Sequence, residues 1–83
     1  MFLYIGQDKS IPARDIVGIF SISLMENATN REFLNTARDE GFVINCGEEP
    51  ARSFIVTSEY IYLSNTSANT LRNRSLNKLS VLD

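Results

Sequence analysis

A chain of 83 residues with a single cysteine, Cys46, and no histidine has no covalent or metal staple for its core. A domain of this length buries only ~60 % of the surface its unfolded chain exposes, so that core is marginal. Small domains make up the shortfall with disulfides, a structural metal or association between copies. One thiol cannot bridge within the chain, and a Cys/His metal cluster lacks its ligands. Self-association is the route composition leaves open, although some domains of this length stand alone.

A lone thiol also suits a reducing compartment. The stretch Met1-Phe-Leu-Tyr-Ile5 has no basic lead and its apolar run stops at Gly6, unlike a secretion signal. The later run Ile16-Val-Gly-Ile-Phe20 falls far short of the ~20 apolar residues of a membrane helix. The expectation is a cytoplasmic protein with no membrane partner, one domain over residues 1–83 with a flexible tail from about residue 75.

Along the chain, Phe2-Leu-Tyr-Ile5 is β-prone and closes in turn-type residues through Ser10. Pro12 cannot donate to a ladder, so the second strand of this hairpin is predicted to begin after it, over Asp15–Ile22. Alternation there sets Ile16, Gly18, Phe20 and Ile22 against Val17, Ile19 and Ser21. Thr29-Asn-Arg-Glu32 has the form of a capping box, predicting a helix that starts at Thr29 and carries Phe33, Leu34 and Ala37 inward until Gly41 closes it. Phe42–Cys46 and Ser53–Thr57 read as strands flanking a hairpin tip, Gly47-Glu-Glu-Pro50. A third strand, Tyr60–Ser64, points Ile61 and Leu63 one way and Tyr60 and Tyr62 the other. A short helix capped by Thr66 or Ser67 follows through Arg74. The fold class is α+β: a small twisted antiparallel sheet, one main helix and a short C-terminal helix.

Most catalytic solutions fail on inventory. Without histidine no Ser-His or Cys-His pair forms, and Gly6, Gly18, Gly41 and Gly47 are too far apart for a phosphate loop. Asp39-Glu40 and Glu48-Glu49 are paired only in sequence and read as solvated charges. Cys46 ends an apolar strand and reads as a small buried hydrophobe. The Tyr60/Tyr62 face reads more readily as packing than as a base-stacking platform. The expectation is a protein that is not an enzyme, with no cofactor, metal site or small-molecule substrate.

Ten acids against eight bases give a net charge of −2. All the acids but Asp83 precede residue 60, whereas Arg72, Arg74 and Lys78 follow it, so a modestly basic segment trails an acidic body. Each arginine alone reads as a surface charge. Arg14, Arg52, Arg72 and Arg74 become a DNA-binding surface only if copies assemble side by side, because phosphate affinity grows with the number of bases engaged.

The segment Arg31-Glu-Phe-Leu-Asn-Thr-Ala-Arg-Asp-Glu-Gly-Phe-Val-Ile-Asn45, then Gly47, Phe54-Ile-Val56 and Tyr60–Ser64, resembles the extracellular matrix regulator family typified by RemA. The Arg14–Phe20 segment is more similar to the RemB branch of that family. The resemblance spans nearly the whole chain. It implies a fold related to the LytTR DNA-binding domain, assembled into rings whose basic residues hold DNA near promoters of biofilm-matrix genes, and a regulator without catalysis. Where the family's hairpin tip carries arginines after its glycine, this sequence has Glu48 and Glu49, which reverses the local sign. Arg52 and Arg14 each lie next to a family arginine. Two readings follow: an oligomeric DNA-binding regulator, or an oligomeric protein-interaction module that no longer touches DNA directly.

Overall fold

The computed structural model describes the backbone of residues 1–82 and the side chains of residues 1–75. Two layers pack on a central sheet. Strands β1 (Phe2–Gly6) and β2 (Lys9–Pro12) form an antiparallel hairpin of their own, turning through Gln7 and Asp8, both at positive φ. A 3-10 turn over Ala13–Asp15 leads into β3 (Ile16–Ser21), and a second over Ile22–Glu26 leads into helix α1 (Ala28–Asp39). Then come β4 (Val43–Asn45), β5 (Ser53–Thr57), β6 (Ile61–Ser64) and helix α2 (Ala68–Leu82). The four-stranded sheet runs β3-β5-β6-β4, antiparallel except for the parallel β6–β4 pair.

The period of two in β6 sets the two layers. Ile61 and Leu63 point to the α1 side, where Leu34 and Phe54 are buried with them. Tyr62 points the other way with Ile55, against Leu3, Ile5 and Ile11 of the hairpin and Leu71 of α2. The sheet thus has α1 on one face and the hairpin with α2 on the other. Two buried hydroxyls join the layers: Ser64 donates to the Ile5 carbonyl (2.6 Å) and Ser53 to the Thr66 carbonyl (2.7 Å). Both serines are fully buried, so these bonds satisfy groups that would otherwise cost about 1–3 kcal/mol each.

Several expectations change. The hairpin partner of β1 is Lys9–Pro12, with Pro12 at the strand end where its missing donor does no harm, and Asp15–Ile22 supplies instead the edge strand β3. The alternation in β3 is broken by a bulge at Val17, between the pairs Ile16↔Thr57 and Gly18↔Val56. The extra residue swaps faces, so Ile16 packs with Ile19 on the hairpin side while Phe20 faces α1. Helix α1 is capped by Asn27, whose Oδ1 accepts from the amides of Thr29 (2.9 Å) and Asn30 (3.3 Å), so the helix starts before Thr29. Gly41, at φ +84°, follows its last turn as expected.

Residues 47–50 are not a hairpin tip, because β4 and β5 are not partners. The chain leaves β4, passes over the end of β6 and starts β5 on its far side. This crossing explains Gly47: a side-chain carbon there would sit 2.9 Å from the Asn65 amide nitrogen and 2.7 Å from its side-chain oxygen. The sheet is therefore mixed and not purely antiparallel. Helix α2 is capped by Ser67, whose Oγ accepts from the Thr70 amide (3.2 Å), and extends to Leu82 rather than stopping near Arg74. The side chains of Leu76, Lys78, Leu79, Val81 and Leu82 lie outside the described residues, as does Asp83 at the end of the tail expected from about residue 75. Among the described residues no helix is long and apolar enough to cross a membrane.

Candidate nucleic-acid interface

The hydrogen bonds at the two ends of β5 locate two exposed arginines, Arg52 and Arg14. At its start, the Arg52 backbone is clamped from both sides: its amide donates to the Ser64 carbonyl (2.8 Å) and its carbonyl accepts from Ile22 (3.0 Å). The backbone is fixed while the side chain is exposed. At the other end, the Ser58 amide donates to the Asp15 carbonyl (3.2 Å), which docks the 3-10 turn carrying Arg14 beside the β5–β6 turn. The Arg14 side chain is 89 % exposed, and its Nε lies 4.0 Å from an Asp15 oxygen, an ion pair worth little in water. A five-residue strand separates the two positions, about 17 Å at ~3.4 Å per residue. Arg14 and Arg52 are not brought together within one copy.

Arg72 and Arg74 have a different setting. Arg72 donates from Nη2 to the Ile19 carbonyl (2.6 Å), tying α2 to β3. Arg74 donates to the Tyr4 carbonyl (3.2 Å) and lies 5.8 Å from the Tyr4 ring centroid, tying α2 to β1. Each of these guanidinium groups has one donor committed to the protein's own backbone. Lys9 is likewise placed over a ring, 5.2 Å from the centroid of Tyr62, and Arg31 donates to the carbonyls of Met25 and Glu26 at the foot of α1. Tyr62 is buried, so its face packs inside the fold and does not present a stacking platform.

One exposed cation escaped the sequence reading. Arg38 lies in the last turn of α1, where a positive charge complements the helix dipole. Phe42 follows that turn and accepts from the Ile61 amide, so Arg38 belongs to the same end of the sheet as Arg14. The signal was present in Ala37-Arg-Asp39, which served only as a family motif.

Carboxylates accompany these groups. Glu48 and Glu49 ride the crossing loop that ends at Arg52, and exposed Asp8 turns the hairpin whose Ile5 is tied to Ser64 at that end. At the other end, Asp15, Glu59 and Tyr60 line a cleft of about 130 Å³ with Lys9, Pro12 and Tyr62. An apolar groove of about 260 Å³ lies on the α1 side between Val17, Leu24, Phe33 and Val56. Among the described residues, one copy therefore carries spaced guanidinium groups between carboxylates and no continuous basic stripe.

These features define a small α+β protein with a mixed sheet, whose chemically distinctive groups are charged and apolar side chains on the outside. Residues 2–75 match the family described as RemA-like, Extracellular matrix regulatory protein A-like. The chain is 32 % identical over 75 residues to Extracellular matrix regulatory protein B of Bacillus subtilis (strain 168), an alignment covering 90 % of each protein. The chain belongs to the RemA-like family of extracellular matrix regulatory proteins. The resemblance read from the α1–β4 segment and from Arg14–Phe20 thus holds across nearly its whole length.

Proposed function

We propose that this protein is a non-catalytic transcriptional regulator of extracellular matrix genes that binds DNA as an oligomer, through backbone phosphates rather than base edges. The single observation behind this reading is similarity to Extracellular matrix regulatory protein B over 90 % of each protein. Exposed Arg14 and Arg52 are the phosphate-contacting groups in this proposal, and Arg72 and Arg74 add positive field beside them. With about 17 Å between the first two and carboxylates near both, one copy engages too few phosphates to bind appreciably. A LytTR-like ring, repeating each arginine around a circumference, supplies the number. The direct test is a shift of a promoter-length duplex at ~50 mM salt, where electrostatic binding is strong. A shift by an assembly of several copies supports the reading, and no shift removes it.

A second reading is favoured by Glu48 and Glu49 on the loop that leads to Arg52. In it the assembly persists, but this acidic loop faces a protein partner and DNA is no longer touched directly. Changing both to arginine removes two repulsions and adds two attractions in each copy. Tighter DNA binding by Glu48→Arg/Glu49→Arg at low salt favours the first reading, and unchanged affinity favours the second.

A further inference from the structure

One side chain holds the turn between β5 and β6. Thr57 Oγ1 accepts from the amides of Glu59 (3.3 Å) and Tyr60 (3.0 Å) and donates to the Tyr60 carbonyl (2.8 Å), so Glu59 and Tyr60 stand on a fixed backbone. The Ser58 amide donates to the Asp15 carbonyl and brings Asp15 beside them. Lys9 of β2 lines the same cleft of about 130 Å³, with its ammonium 5.2 Å from the Tyr62 ring centroid. Lys9 forms no ion pair with either carboxylate: among the described residues the one ion pair is Arg14 with Asp15 at 4.0 Å. Tyr62 also lines the cleft, although the residue is only 8 % exposed. Among the described residues its hydroxyl has no hydrogen-bond partner, and no unpartnered side-chain oxygen is shut away from solvent, so this hydroxyl opens into the cleft. A tyrosine as buried as this one usually finds a partner for its O–H.

We infer that the cleft binds a small zwitterion of the α-amino-acid class, its carboxylate held by the Lys9 ammonium and the Tyr62 hydroxyl and its ammonium by Glu59 and Asp15. Opposite charges that share a cleft without pairing match a ligand that carries both, and hydrogen bonds to ionised groups are the strong ones. A ligand with a single charge would satisfy one side and leave the other as it was. The Tyr60 ring, in edge contact with Tyr62 at 6.1 Å between centroids, gives the ligand's carbon skeleton an apolar wall. The volume equals that of about four waters, which suits an amino acid with a small side chain. The ligand is bound and released unchanged, and the site needs neither DNA nor a second copy.

Equilibrium dialysis of the full chain against labelled glycine, alanine and valine tests this, with methylamine and acetate as single-charge controls. At least one of the three amino acids should bind, and neither control should bind at the same concentration. Tyrosine fluorescence is a second readout, because the chain has three tyrosines and no tryptophan, and Tyr60 and Tyr62 both line the cleft. Tyr62→Phe removes the hydroxyl and keeps the ring in the core. It should weaken binding by about tenfold or more while the unfolding midpoint in denaturant stays unchanged. Glu59→Gln, at an exposed turn position, should weaken binding without touching the core. The inference is overturned if none of the three amino acids binds, or if methylamine or acetate binds as tightly as they do. It is equally overturned if Tyr62→Phe and Glu59→Gln bind like the unaltered protein.

Discussion

Cys46 directly follows β4 and is 4 % exposed. Burial disfavours the thiolate and pushes its pKa above the ordinary 9.0, with the nearby Lys9 charge pulling weakly the other way. A thiol with a raised folded pKa holds its proton longer in the native state than in the unfolded chain. Its contribution to stability is complete below the unfolded value and is lost as pH rises through the folded one. Alkylation of the native protein at pH 8 should therefore be slow and should become fast on adding denaturant; equal rates in both would contradict the buried setting. The reading of Cys46 as a small hydrophobe came from its place at the end of an apolar run, a signal that survives in any fold that buries that strand. The helix cap was harder. Thr29 and Glu32 have the right types and spacing, but Asn27 wins because its side-chain oxygen reaches two amides while the Leu24 and Asn27 backbones are already joined. Asn27→Ala should cost about 1 kcal/mol in a denaturant titration, and Thr29→Ala distinctly less.

At the scale of elements, most strands and both α-helices were legible, but β2 (Lys9–Pro12) was hidden among turn-type residues and the strands' partners were not legible. Each run of β-branched and aromatic residues became a strand, and Ile61, Tyr62 and Leu63 kept their alternation because β6 is buried on both faces. Pairing is decided by residues distant in sequence. Gly47-Glu-Glu-Pro50 has the composition of a hairpin turn, yet the chain uses it to cross over β6, and only the close approach of Gly47 to Asn65 reveals this. A bulge is equally silent in sequence: Val17 continues the apolar pattern, and its displacement appears only from the register with β5. The packing of α2 also follows from the fold, since Leu71 is fully buried beneath the hairpin. Leu71→Ala should lower stability by about 2–5 kcal/mol, the range for removing a buried leucine. Unchanged unfolding by denaturant would mean that α2 is not part of the core.

The whole molecule carries the functional question. The family was legible because its motifs run through α1, β4 and β6, and the chain's match extends over residues 2–75. The candidate site was legible only as a set of arginines. Which of them have donors committed to backbone carbonyls, as Arg72 and Arg74 do, depends on partners far away in the chain and leaves no mark in local sequence. The unstapled core and the spacing of Arg14 from Arg52 lead to the same expectation, that the working unit holds several copies. Its mass in solution should be a multiple of 9.4 kDa, and a monomer at tens of micromolar would remove the basis for a multi-arginine surface.

The measurement closest to the central claim is the salt dependence of DNA affinity, compared between the unaltered protein and its Arg14→Ala and Arg52→Ala variants. Each neutralised phosphate adds about 0.9 to the slope of log affinity against log salt, and an assembly repeats each substitution in every engaged copy. The account predicts that both variants keep their assembled mass, bind more weakly and show a slope reduced by about 0.9 for every phosphate no longer neutralised. Variants that bind with the affinity and slope of the unaltered protein would contradict it.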